Sequence, residues 1–453
     1  MEEVTDILGK ALSNATADLS VLRWMRREQI NVTITDGVPR SPKQTTFEGV
    51  SCRSLINGSW GFASTTIVTD APEMVQTSER LACISSRNEF IDIADTEPVS
   101  GEWKPVIEKP VSDIEVLYEV IKEVSEAVES VPHITSTSSS ILVVTDEKVL
   151  MTSEGTHVYQ VEPRIMGALT AVAKESGKIS QGRQVVGGEI GLEFFEKGFA
   201  EVFTALCEKV SRRVHAPLPP AGKTPVVLSG EVVGLLVHEA LGHAAEADVA
   251  QCESFLSGKI GERVASPLLS VADDGTLPGG FGSYGFDDEG VPAQDTVIVA
   301  DGVLQNYLHS RETAFCSHTH STGNGRAWLF SREPQVRMTN TYVHPDDMSF
   351  EELCEEVKNG LYISGDKGGS ADRNGQFVFI TSDAQKIEKG ELTEEYFLGP
   401  VISGHAQEAF TACTGAGNRE TFVVIPAVCK KGESAFVGSG GPAVATEVVV
   451  GGI

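Results

Sequence analysis

His238 and His243 bracket Glu239 in the run His238-Glu239-Ala240-Leu241-Gly242-His243. Two imidazoles and a carboxylate this close together are parts of a metal-assisted hydrolytic site. Imidazole nitrogens hold zinc, and a hydrolytic zinc keeps one position for water. Glu239 suits the general base, taking a proton from that water as it attacks a carbonyl. The spacing works against a simple helix. His-Glu-x-x-His sets its histidines four apart on one face, whereas here the interval is five. At about 100° per residue, five steps turn the side chains roughly 140° apart. Sharing one ion then requires a π-bulge, a kink or an early helix end, and Gly242, with no side chain, makes such irregularity reasonable. The competing reading makes both histidines ordinary core residues of an apolar helix. Glu246 and Asp248 follow closely, and Glu246 is the better candidate to orient a ligand imidazole from behind.

A third ligand must come from elsewhere. Cys429 lies at the end of an apolar strand and the start of a turn, where Lys430 and Lys431 would favour its thiolate. Cys413, His309, His318, His320, His344 and His405 compete with it, and chemistry alone does not choose. Cys429 could also act as a nucleophile with a histidine base, but a ligand role is more economical beside the His-Glu motif. No Gly-x-Ser-x-Gly elbow is present. Arg326 and Arg337 could hold a peptide carboxylate or a developing oxyanion, or form structural ion pairs. Gly280, Gly282 and Gly285 meet the bare G-x-G-x-x-G spacing. They lack the strand-turn-helix setting of a phosphate loop, so a tightly turned cleft wall is expected. Asp287, Asp288 and Glu289 read as a solvated acidic turn.

The elements that must position these residues point to an α+β fold. Ile7, Ala11, Ala15, Leu19 and Leu22 recur at spacings of four and three, which predicts an N-terminal helix. A strand follows at Ile30–Ile34, a turn at Asp36-Gly37, and a hairpin at Phe47–Ile67 around Asn57-Gly58. Helices are expected at Pro72–Ser85 and Ile114–Val128, with an irregular stretch at Glu89–Glu108 between them. Three short strands follow (141–144, 148–152, 156–162), turning at Asp146-Glu147 and Glu154-Gly155, then helices near 164–176 and 190–211. Pro217–Gly222 is stiff and Pro-rich. It divides an N-terminal α+β domain (1–216) from a mainly β C-terminal domain (223–453) with a curved or barrel-like sheet and the metal-motif helix. Strands are expected there at 226–228, 296–300, 335–342, 375–380, 421–428 and 445–450, and helical pieces at 350–360 and 405–411.

Composition narrows the functional class. The 453 residues include 64 acidic against 36 basic ones, a formal charge of −28. No cationic excess is available to neutralise phosphates, so direct nucleic-acid contact and docking on an anionic membrane are not expected. No apolar run approaches the roughly 20 residues that span a bilayer. The acidic start and the eight dispersed cysteines suit a cytoplasmic protein with free thiols.

The longer run from His238 through Glu246-Ala247-Asp248 resembles the TldD/PmbA family (modulator of DNA gyrase family), specifically its TldD-like metallopeptidase branch. That branch carries His-Glu-x-x-x-His, so the five-residue interval is the family's own. The resemblance covers nearly the whole chain and is strongest from about residue 225. Asp273-Asp274-Gly275, Asp287-Asp288-Glu289-Gly290, Thr322-Gly323-Asn324-Gly325-Arg326 and Arg337-Met338-Thr339-Asn340-Thr341 belong to it. The family's third zinc ligand is a cysteine in a Cys-Gly-Lys-x-Gly setting, which Cys429-Lys430-Lys431-Gly432 resembles. Lys430 replaces the first glycine, and Gly432 comes one place early. The resemblance implies zinc on His238, His243 and Cys429, one ion per catalytic subunit. It implies peptide substrates admitted unfolded to a chamber, and a homodimer or a heterodimer with a PmbA-like subunit, the branch that lacks the zinc motif. It also carries an association with the maturation of peptide antibiotics. The expected activity is hydrolysis of small or unfolded peptides, in extended form along a sheet edge. The alternatives are a non-catalytic peptide-binding or modulatory subunit with a structural metal, and a non-peptide amidase.

Overall fold

The structure, a computed structural model, describes residues 1–85, 91–111, 113–128, 131–195 and 199–452. Its N-terminal half is built on a sheet of long antiparallel strands. Leu19–Thr35 lies between Lys43–Ile56 and Ile134–Thr152, and the latter pairs with His157–Glu175. Side chains alternate between the two faces of a strand, and here both faces are covered. Leu22, Trp24, Val32, Ile34, Ile141, Val149 and Leu169 belong to cores shared with the helices Glu2–Leu12, Ala71–Ile84, Ile114–Val128 and Phe199–Arg212. The opposite face carries Arg23, Arg27, Asp146, Glu162 and Arg164, all buried. Arg27 pairs with Asp146 at 2.6 Å and lies 4.2 Å over the ring of Trp328. Arg23 reaches Asp288 at 3.1 Å. Those charges join the sheet to the C-terminal half.

Several expectations hold. Asn57 (φ 46°) and Gly58 (φ 74°) form the hairpin turn between Lys43–Ile56 and Ser59–Thr65. The helix Ile114–Val128 falls where periodicity placed it, and Ala71–Ile84 matches the helix expected at Pro72–Ser85 with its proline near the start. Others are corrected. The first helix ends at Leu12, where Ser13 and Asn14 side chains bond the Lys10 carbonyl. Leu19 and Leu22 instead begin a strand and face opposite ways. Asp146-Glu147 is not a turn but the middle of Ile134–Thr152, because Asp146 is the buried partner of Arg27. The segment 164–176 is strand rather than helix, part of His157–Glu175. Ile165, Leu169, Ala171 and Ala173 are buried on one face, but Met166, Ala168 and Val172 on the other are apolar too, which leaves an apolar run that periodicity cannot assign. Of the irregular stretch, residues 89 and 90 lie outside the described residues, and Ser100–Trp103 is a strand. Of the helix read at 190–211, residues 196–198 lie outside them, 192–194 form a short 3₁₀ turn, and Phe199–Arg212 is helical.

After residues 217–221 the chain enters a closed five-stranded barrel. Gly222–Leu228, Asn359–Ala371, Gln376–Glu388, Pro400–His405 and Val444–Gly452 pair in that order, and the last returns to the first. A second sheet of six strands ends at the edge strand Val423–Lys431, hydrogen-bonded to Glu433–Gly441. The expected strand 335–342 is split into Gln335–Val336 and Asn340–Val343. Between them Thr339 donates to the buried Asp273 carboxylate. The glycine-rich strand Glu433–Gly441 escaped notice because glycine is a poor strand former. Its glycines admit a helix: a Cβ on Gly234 would sit 2.6 Å from the Gly440 nitrogen. Among the described residues no helix is long and apolar enough to cross a membrane, and all eight cysteines are free.

Candidate metal centre

The motif helix is mostly apolar and buried, wedged between the barrel and the six-stranded sheet, with Glu231 and Glu239 half-buried at a cavity wall. It starts as an α-helix over Gly230–Leu236, widens to a π-helix over Val237–Gly242, and resumes as α over His243–Ala245. The His243 N–H donates to the His238 carbonyl, a bond spanning five residues. A π turn closes bonds at that interval, so the insertion offsets the angular mismatch of the sequence spacing. Gly242 acts differently from expectation. Its φ of −61° and ψ of −52° are ordinary helical values. What requires glycine is space, because a Cβ there would lie 2.2 Å from Met338 Sδ. The helix stops at Glu246, whose ψ of 121° is extended.

Cys429 reaches this helix from the edge strand Val423–Lys431. Its Sγ lies 3.2 Å from His243 Nε2, and the two imidazole rings are 5.1 Å apart at 76°. One donor atom from each of His238, His243 and Cys429 lies within 4.8 Å of the others. Tetrahedral zinc with bonds of about 2.0–2.3 Å sets its donors roughly 3.3–3.8 Å apart, so small side-chain adjustments would close this trio on an ion. His238 Nδ1 is buried with no hydrogen-bond partner among the described residues. An unpaired nitrogen is costly in a core.

The electrostatics suit metal loading. Burial opposes ionisation of Cys429, but hydrogen bonding and charge from His238 and His243 outweigh it and draw the thiol down to about 5. Burial likewise opposes a charged His243, yet Cys429 and Glu246 raise it to about 10. In the metal-free pair each group thus favours the charged form of the other, thiolate beside imidazolium. The sulfur is ready to ligate, and a bound cation would displace the imidazole proton.

Glu246 lies directly behind His243. It is fully buried and meets Nδ1 at 2.9 Å, leaving Nε2 to face the sulfur. Burial alone would raise its carboxyl, but His243, Lys431 and Arg337 hold it low. Lys431 Nζ lies 3.1 Å from Glu246, donates to Asp248 at 2.9 Å and to the Val336 carbonyl at 2.9 Å. Lys431 was read as an activator of Cys429, but it turns to Glu246 instead, and the histidines depress the thiol. This chain of contacts fixes the orientation of one candidate ligand. If the trio holds a metal ion, Lys431→Met is expected to weaken its binding by about 10–100-fold, the usual effect of losing such a support. Competition titration against a chelating dye measures it, and unchanged affinity would remove Lys431 from the relay.

Arg326 and Arg337 lie elsewhere. Arg326 donates to the Met338 carbonyl and, at 2.8 Å, to that of Phe436. Arg337 is buried, donates to the Glu433 carbonyl at 2.6 Å and approaches Glu246 at 3.8 Å. Neither lines the cavity beside Glu239. The acidic run is buried rather than solvated. Asp287 accepts from the amides of Glu289, Val291 and Gly325, Asp288 meets Arg23, and Glu289 meets Arg53 and the Arg311 amide. The glycine-rich loop serves close packing: Cβ atoms on Gly282 and Gly285 would clash with Thr339 and Trp103.

Glu239 is half-buried, and its carboxylate has no hydrogen bond or ion pair among the described residues. It shares the wall of a cavity of about 340 Å³ with His238 and Cys429. Arg183, Glu231 and Asp366 line the same space. Sequence reasoning missed these three. Only the glycine cluster around Asp366 offered a signal, and it became a bulge in Asn359–Ala371.

Family comparisons agree along the chain. Residues 221–452 match the PmbA/TldA metallopeptidase C-terminal domain, 102–218 the central domain and 21–82 domain 1. A protein of Methanothermobacter thermautotrophicus named a metalloprotease is 35% identical over 98% of this chain and 97% of its own length. The chain belongs to the PmbA/TldD family. Another relative, named a zinc metalloprotease TldD homolog, from Saccharolobus solfataricus, is 26% identical over 94% of both chains. The PmbA/TldD fold is seen in the crystal structure of TldE from Thermococcus kodakarensis, which superposes with a TM-score of 0.81 over all of both chains at 18% identity.

Proposed function

We propose that this PmbA/TldD chain is a zinc-dependent peptidase acting in the cytoplasm on small or unfolded peptides. The observation that carries the reading is an unpaired Glu239 beside three convergent donor atoms at the wall of an open cavity. His238, His243 and Cys429 would hold the ion, with Glu246 and Lys431 orienting His243. When bound, zinc supplies positive charge that polarises a scissile carbonyl and acidifies water. Glu239 takes the proton of the attacking water and delivers it to the leaving amine. The cavity volume lies within the roughly 300–1,000 Å³ of ligand sites, and the edge strand Val423–Lys431 offers backbone groups to an extended peptide. The metalloprotease names of the relatives support the reaction class, and the TldE likeness suits a twofold assembly, either of two copies or with a PmbA-like subunit.

The test is a peptide-library digest followed by mass spectrometry, on the chain alone and mixed with a PmbA-like subunit. New termini are expected with zinc, lost after chelation and restored by about one equivalent of zinc. Cleavage that survives complete metal removal would overturn the proposal. Bound zinc with no cleavage in either mixture would favour a peptide-binding or modulatory subunit with a structural metal.

A further inference from the structure

Arg183 stands on Lys178–Gly188, an edge strand of the N-terminal sheet. Its strand partner is Thr170, whereas the next pair, Gln184 and Leu169, places Leu169 in the helix-covered core. Alternation therefore turns Arg183 away from that core. It is exposed, and it is the sole Arg or Lys lining the cavity that holds Glu239 and His238 among the described residues. Its guanidinium has no hydrogen bond or ion pair there. That vacancy is informative in a chain with 64 acidic residues against 36 basic ones, where carboxylate partners are abundant. Glu239 shares the cavity without a partner of its own, while the other two acids of the wall are otherwise arranged. Glu231 accepts from Gln184 at 2.8 Å, and Asp366 accepts from the Gly368 amide within the bulge. Asp366 feels the charge of both Arg183 and His238, so the arginine and this candidate ligand both lie near one acid of the same cavity wall.

We propose that Arg183 is the carboxylate-binding residue of this cavity, holding a C-terminal carboxylate or an acidic side chain of the peptide while the scissile bond lies at Glu239. This rests on the peptidase reading above. A guanidinium presents a planar fork that matches a carboxylate through two parallel hydrogen bonds. Here it is also the local exception in a strongly acidic protein that would otherwise repel such a group.

The experiment measures kcat/KM for matched peptides with the zinc-loaded chain, alone and with a PmbA-like subunit. One pair differs only in C-terminal acid against amide, the other only in internal Asp against Asn. The wild type is expected to prefer the carboxylate member of one pair, and Arg183→Ala to reduce that preference about tenfold or more, mostly through KM, with Arg183→Lys between them. Loss confined to the first pair assigns the chain terminus, and loss confined to the second assigns the side chain. Zinc content and melting temperature should not move, because the Arg183 side chain has no hydrogen bond or ion pair among the described residues. A wild type without preference in both pairs, or an Arg183→Ala protein that keeps the wild-type ratios, overturns the proposal while leaving the peptidase reading intact. A wild type that cleaves none of the peptides removes both.

Discussion

Glu239→Gln is expected to lower peptide hydrolysis by about 10²–10⁴-fold, the usual range for a lost general acid–base group, with zinc content unchanged. The substitution is nearly isosteric, and the carboxylate it removes has no partner whose loss would disturb the fold. Glu239 follows His238 directly and precedes His243 by four residues, about one helical turn. It sits within the π-helix, between His238 and His243, half-buried at the cavity wall. An amide there keeps the shape but accepts no proton near neutral pH. The effect should fall on kcat, because the proton moves in the transition state rather than in the bound ground state. Steady-state kinetics with metal analysis of the same preparations checks it. Undiminished turnover would remove Glu239 from its role, and loss of zinc would move it into the ligand set.

Cys429→Ser carries the second large effect. Zinc bound by small protein sites is worth roughly 10–16 kcal/mol. A third of the lower figure is about 3 kcal/mol, or more than a hundredfold in affinity. Thiolate is also the form already favoured here, with Cys429 drawn down to about 5 by His238 and His243. A serine hydroxyl stays protonated and offers a poorer donor. The thiol is buried in a hydrophobic core yet flanked by imidazoles, so the fold should tolerate the exchange. Zinc measured by competition, with the melting temperature of the metal-free protein as the folding control, reports the change. Wild-type affinity in Cys429→Ser would show that the sulfur is not a ligand.

What the sequence made legible followed from local rules. The apolar faces of Ala71–Ile84 and Ile114–Val128, and the Asn57-Gly58 turn, are set by nearest neighbours, and they stand as read. The irregular motif helix was legible because five residues do not fit a regular turn. The reason for Gly242 was not, since the Met338 side chain that crowds it lies far along the chain. Long strands buried on both faces misled the reading. Asp146 looked like a turn because Arg27, its partner, is 119 residues away. The acidic run 287–289 looked solvated because Arg23 and Arg53 come from the other half of the protein. At the site, His238, Glu239 and His243 announce themselves by adjacency. Cys429 was singled out only by resemblance, and Arg183, Glu231 and Asp366 join the cavity by tertiary placement alone.

X-ray absorption at the zinc edge of the purified, zinc-loaded protein tests the central claim most directly. The account predicts about one sulfur near 2.3 Å and two imidazole nitrogens with one further light atom near 2.0–2.1 Å, with the sulfur shell missing in Cys429→Ser. A first shell without sulfur, or one closed by four protein donors and no exchangeable position, would contradict it.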